Sequence, residues 1–156
     1  MSRPIESDFF KVQLFAVLEE LFERTQGIAL DKDTSLIQTV AEMSAEQASR
    51  PVVPGGTSIA AHLEHACFYL DVLHDYITGK DVSGIDWGKS WSVRPLTEAE
   101  WGVIQQRLKS TYRGLVELLQ AVPDWNDERS LGGVLGIAVH SAYHLGAIRQ
   151  IRKIVL

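Results

Sequence analysis

The sequence contains one cysteine, Cys67, among 156 residues. That excludes an internal disulfide and points to a reducing compartment. Unbroken apolar runs are short, and none approaches the roughly 18 residues of a membrane-spanning segment. The opening residues, MSRPIESDFF, lack the apolar stretch of a secretory signal. Basic runs are absent too. With 15 Lys and Arg against 20 Asp and Glu, the net charge is −5, which argues against nucleic-acid binding through a broad positive surface. No segment alternates apolar and polar residues for long, so no sheet is expected. These absences describe a cytoplasmic, single-domain protein spanning residues 1–156, with neither a nucleic acid nor a membrane as partner.

What is present is helical periodicity. Phe10, Leu14, Val17 and Leu21 recur at three- and four-residue spacing, with Ser7 or Asp8 as cap and Gly27 as terminator. LIQTVAEMSAEQAS allows one or two short helices, the second opened by a Ser44–Gln47 capping box. The stretch RPVVPGGTS then breaks the chain. A second long helix runs from Ser58 to Thr78, its seam formed by Ile59, Leu63, Ala66, Leu70, Leu73 and Ile77. Residues 79–96 form the longest break and carry Trp87 and Trp91. A Thr97–Glu100 capping box opens a third helix with Trp101, Ile104, Leu108, Thr111, Leu115 and Leu118 on its seam. The fourth begins within SLGGVLG, and its seam is Ile137, His140, His144, Ile148, Ile151 and Val155. Four amphipathic helices without strands predict an all-α, four-helix bundle, with long connections that cross over the bundle.

The seam of the fourth helix contains the chemistry. In HSAYHLGAIRQ, His140 and His144 share one face about 6 Å apart. Burying each unpartnered ring costs about 1–3 kcal/mol. A divalent metal resolves that cost, because neutral imidazole is a favoured ligand of zinc, nickel, copper and iron. The alternative is a pair of core histidines satisfied by protein partners. The second helix supplies His62 and His65 in SIAAHLEHACFYL, and three histidines from two helices make a metal site with open positions. On the helical wheel His62 lies nearer the centre of the apolar face, which makes it the rival to His65 as third ligand, although packing or support of the ligands suits it better; Glu64 is a further acidic candidate. Cys67 reads as a small core filler and His74 as a solvated residue. Trp87 and Trp91 either pin their loop to the bundle or wall a substrate site. Gly132, Gly133 and Gly136 allow close helix approach. A phosphate loop is the weaker reading of these glycines, for the strand and lysine of a P-loop are missing.

GGTSIAAHLEHACFYL, HSAYHLGAIRQ, and DWGKSW followed by PLTEAEW together resemble the DinB/YfiT-like family over nearly the whole chain. The resemblance implies a metal-binding four-helix bundle that often dimerises. Carried over by motif, the ligands are His65, His140 and His144, with His62 as the rival to His65. Many members continue the last motif with a second histidine and an arginine. Here Tyr143 precedes His144 and Leu145 follows it, while Gly146 is retained. The resemblance further implies a zinc, nickel or iron cofactor and a reaction that activates a water or a low-molecular-weight thiol on a small-molecule substrate. Such an enzyme would be a hydrolase or thiol transferase acting as a homodimer. The competing expectation is a non-catalytic module that the metal merely stabilises.

Overall fold

The structure, a computed structural model, describes residues 5–91 and 94–156. Residues 1–4 of the segment read for a leader, and residues 92–93 of the tryptophan-bearing break, lie outside the described residues. The chain forms six α-helices, four long and two short, with no strand among the described residues. The all-α expectation agrees with this.

Helix α1 (Ser7–Phe22) starts one residue after Glu6, which makes no side-chain capping bond, so neither Ser7 nor Asp8 is the cap. The helix stops five residues short of Gly27. The chain between is organised by Glu20, whose carboxylate collects the backbone N–H groups of Gly27, Ile28, Ala29 and Leu30. Two short helices follow, α2 (Leu36–Val40) and α3 (Ala45–Ser49). The Ser44–Gln47 capping box is present, and an equivalent box formed by Ser35 and Gln38 opens α2.

The other three long helices begin where their caps dictate. Ser58 accepts from the Ala61 N–H at the start of α4 (Ile59–Ile77). The Thr97–Glu100 box opens α5 (Glu98–Ala121). Helix α6 (Glu128–Val155) starts earlier than its apolar seam suggests, because Asp127 accepts from the N–H groups of Arg129 and Ser130 at 2.8 and 3.0 Å.

Helix α4 lies at the centre, packed by α6, α5, α3 and a 3₁₀ turn at Trp87–Trp91, while α1 packs on α6 and α2. Leu18, Phe22, Leu63, Leu70, Leu108, Leu115, Ile137 and Leu145 fill the interior almost without exposure. Each such side chain contributes about 1.5–3 kcal/mol through burial. Phe22 stacks on Tyr112 with centroids 4.5 Å apart, and the Trp101 indole N–H donates to the Met43 carbonyl at 2.7 Å. The α5 seam is rotated slightly from expectation, so that Tyr112 and Leu119 are buried and Thr111 and Leu118 are half-buried.

The contact between α4 and α6 determines what the site can be. A Cβ on Gly133 would stand 2.8 Å from Ile77 Cγ1, and one on Gly136 would stand 3.1 Å from the Tyr69 hydroxyl. These two glycines therefore permit the close approach, whereas Gly132 meets nothing nearer than 3.9 Å. By length and composition α6 is apolar enough to cross a membrane. In this fold it lies against α4 and α1 and buries Val134, Ile137, Leu145 and Ile148.

Candidate metal centre

Because α4 and α6 lie side by side, their histidines meet. His65, His140 and His144 each offer a ring nitrogen, and these atoms all lie within 4.8 Å of one another. Ligands about 2.0–2.1 Å from one ion stand about 3–3.5 Å apart, so binding would draw the rings somewhat closer. Both His140 Nε2 and His144 Nε2 are buried without a hydrogen-bond partner. Only two other side-chain atoms among the described residues share that condition, Trp125 Nε1 and Arg152 Nε. An unpaired buried polar atom costs about 1–3 kcal/mol. Two on adjacent turns, converging with a third imidazole, fit a cation that needs lone pairs.

Each ring is held by a different device. His65 Nδ1 lies 2.6 Å from Ser90 Oγ, and the Ser90 hydroxyl donates to the Trp87 carbonyl at 2.8 Å. With its only proton committed there, Ser90 accepts from His65 Nδ1–H, leaving His65 Nε2 as a free lone pair. Trp91 also lies flat over the His65 ring, with centroids 4.1 Å apart at 21°. His140 is clamped by Tyr69, whose ring stacks on it at 3.6 Å and 15°. His144 Nδ1 lies 2.9 Å from His62 Nδ1.

The site also suppresses protonation. Burial, followed by the neighbouring His65 ring, pushes His140 down to about 4. Burial and then the surrounding His140, His62 and His65 push His144 down to about 3. His65 is lowered by burial alone. At neutral pH all three rings are uncharged, so each keeps one nitrogen lone pair that a metal could use.

The histidines form the floor of a cleft of about 480 Å³, walled by Tyr69, Trp91, Gly136, Val139 and Tyr143. Among the described residues, no carboxylate and no lysine or arginine lines it. The 3₁₀ turn therefore does more than pin a loop: Ser90 orients a ring and Trp91 covers it, while Trp87 packs against Phe68 and Tyr69.

The remaining candidates fall outside this set. His62 spends Nδ1 on His144 and Nε2 on Thr57 Oγ1 at 3.0 Å, so it has no nitrogen left for a metal. Glu64 is bound by Arg107, which also holds Asp71 at 2.6 Å, and its carboxylate belongs to the α4–α5 contact. Cys67 is fully buried, and burial pushes its thiol up to about 12, which makes it an inert filler. His74 is partly exposed and lies 3.5 Å from Asp75. Sequence patterns do not single out Ser90, Thr57 or Tyr69. Tyr69 has a legible signal, since it follows His65 by four residues on the same helical face. Ser90 and Thr57 act from loops and have no periodic signature.

A family model of the DinB superfamily matches residues 32–148, a span that includes all three histidines. The chain belongs to the DinB superfamily. Helix α1 and the end of α6 lie beyond the matched span of this DinB-like chain. No curated protein and no solved structure matches it.

Proposed function

We propose that this protein is a metal-dependent enzyme of the DinB superfamily in which His65, His140 and His144 hold a divalent zinc, nickel or iron ion. One observation carries the reading: His140 Nε2 and His144 Nε2 are buried and unpaired, and their rings converge with that of His65 beside an open cleft. When bound, such an ion lowers the pKa of a coordinated water or thiol toward neutrality and so supplies a nucleophile. Three protein ligands beside a cleft leave coordination positions for substrate, unlike the closed four-ligand shell of a structural zinc.

The character of the cleft supports a reading of the substrate class. Its aromatic and aliphatic walls suit a small molecule with an apolar or planar body and one metal-seeking or electrophilic group, in a hydrolase or a thiol transferase. The four long helices suit the four-helix bundle implied by the family, in one domain that acts as a homodimer in the cytoplasm. A second reading, a metal-stabilised module without catalysis, is favoured by one observation. Among the described residues, tyrosine hydroxyls and the histidines themselves are the only acid–base groups at the cleft.

Metal content of tag-free protein, measured by elemental analysis beside a His140→Ala/His144→Ala variant, tests the site. The expected result is near-stoichiometric metal in the parent and none in the variant. No metal in either after incubation with zinc, nickel and iron would overturn it. Turnover of thiol-transfer or ester substrates that disappears on chelation supports the enzyme, while stabilisation by metal without turnover across such a screen supports the module.

A further inference from the structure

The proposed metal site rests on a fourth histidine that is not a ligand. His62 lies one turn before His65 on α4, is 7% exposed, and has both ring nitrogens engaged. Its Nδ1 meets His144 Nδ1 at 2.9 Å, and its Nε2 meets Thr57 Oγ1 at 3.0 Å. Two ring nitrogens at that separation share one proton, so one donates and the other accepts.

The direction follows from the far side of the His144 ring. His144 Nε2 is buried with no acceptor among the described residues. Were His62 the donor, His144 would carry its proton on Nε2, facing the cluster with nothing to receive it. With His144 protonated on Nδ1, that proton goes to His62 Nδ1, and Nε2 presents a lone pair beside His65 and His140. His62 must then carry its own proton on Nε2, where Thr57 Oγ1 accepts it. In this arrangement each ring nitrogen of His62 and His144 has a partner, apart from the lone pair aimed at the cluster.

The loop before α4 is shaped to deliver the threonine. Gly56 N–H donates to the Val53 carbonyl at 2.9 Å, closing a tight turn with Pro54 and Gly55 at its corner, and Gly55 has φ +75°. That is a conformation glycine adopts freely and an L side chain rarely does. Ser58 then caps α4, leaving Thr57 between the turn and the helix within reach of a side chain one turn up. Trp91 closes the arrangement from above, its ring meeting His62 edge-on at 5.4 Å.

We infer that His62 is a positioning residue: it accepts the Nδ1 proton of His144, fixes that ring's tautomer and aim, and thereby sets the affinity of the site for a divalent metal. The inference rests on the proposed metal site, but the two fail in different ways. Residues that orient a metal-binding imidazole in this manner alter affinity by about 10–100-fold.

The test compares the parent with His62→Leu, His62→Asn and His62→Gln by titrating each metal-free protein with Zn²⁺ and recording the visible spectrum of its Co²⁺ form. An Asn carbonyl oxygen falls near the position of Nδ1 and can accept from His144. The Gln amide falls near Nε2 and reaches Thr57 instead. The expected result is a loss of about 10–100-fold in Zn²⁺ affinity for Leu and Gln, with Asn restored to within a few-fold of the parent. An altered Co²⁺ spectrum in Leu but not in Asn is expected alongside. Melting of the metal-free proteins separates this from unfolding, for the Leu form should still melt in one cooperative transition, lowered only by the His144 nitrogen it leaves unpaired. Parent-like affinity in all three variants, or equal losses in Asn and Leu, overturns the role of His62 while leaving the site standing. A parent that binds neither ion overturns both.

Discussion

Near the end of α1, Glu20 is 1% exposed and its carboxylate accepts from four consecutive backbone N–H groups. Between α4 and α6, the Nε2 atoms of His140 and His144 are just as hidden, and no group among the described residues meets them. Both regions hold polar groups that water would solvate well. In the first, the chain supplies what water would have supplied, and the result is a fixed loop. In the second, it supplies support on every side of the rings except the one facing the cleft. A buried group satisfied from within belongs to the scaffold, whereas one left open where several converge is addressed to something from outside.

Apolar replacement separates the two most strongly. His140→Leu/His144→Leu should abolish metal binding and leave the metal-free protein about as stable as the parent, since removing two unpaired buried atoms, costing about 1–3 kcal/mol each, offsets the partner that His62 Nδ1 loses. Glu20→Leu should lower the melting temperature sharply, because four buried donors lose their acceptor at once. Thermal melts with and without zinc check both. The parent should gain about 2.7 kcal/mol at a metal excess of 100 times Kd, and the double leucine variant should gain nothing. A double variant that melts far below the metal-free parent would mean the histidines are scaffold after all.

The two regions should also differ in acid. Burial raises the Glu20 carboxyl, but the four backbone bonds outweigh it and hold the group below its ordinary value of 4.5. A carboxylate depressed in this way contributes stability that is complete above pH 4.5 and is lost as the pH falls through its lower folded value. Glu20→Gln puts an amide where only acceptors are wanted. It should destabilise the protein at pH 7 and flatten the decline of stability below pH 4.5. Amides at Gly27–Leu30 should exchange faster in the variant. Equal acid sensitivity in parent and variant would show that the nest contributes nothing to folding.

Much of this contrast is legible in the sequence, and the illegible part has a common cause. Helical periodicity locates α1, α4, α5 and α6, and capping chemistry places the starts of α3 and α5, because both signals are local. The start of α6 at Asp127 escapes this reading because Gly132, Gly133 and Gly136 resemble a loop. All three are helical here, and Gly133 and Gly136 let α6 pass close to Ile77 and Tyr69. The three converging histidines follow from motif and spacing. Position on the helix favours His62 over His65, and it fails because burial alone cannot tell a ring aimed at the cluster from one aimed at a neighbouring ring. The Glu20 nest, the Thr57 hydroxyl and the Ser90 hydroxyl are contacts between a helix and a loop, and no helical period announces them.

Ser90→Ala probes a single one of these supports. It removes the acceptor that lies 2.6 Å from His65 Nδ1 and frees the ring to turn or change tautomer. Zinc affinity should fall about tenfold, and metal-free melting should fall only by what the unpaired His65 nitrogen costs. An unchanged affinity would mean that Trp91, stacked at 4.1 Å, holds His65 by itself.

Tyr69→Phe should have the smallest effect. The ring that clamps His140 is retained, and only the hydroxyl that sits against Gly136 is removed. If face-to-face packing positions His140, zinc affinity should change less than twofold in Phe and fall several-fold in Tyr69→Ala, where the face itself is gone. Burial raises the Tyr69 hydroxyl above its ordinary value, so it remains a proton donor at neutral pH in the parent. Packing is a property of the ring and proton donation a property of its oxygen, and the pair of variants divides them. A loss of affinity in Phe equal to that in Ala would place the hydroxyl, and not the ring, among the supports of the site. It would thereby move Tyr69 from the satisfied side of the comparison to the open one.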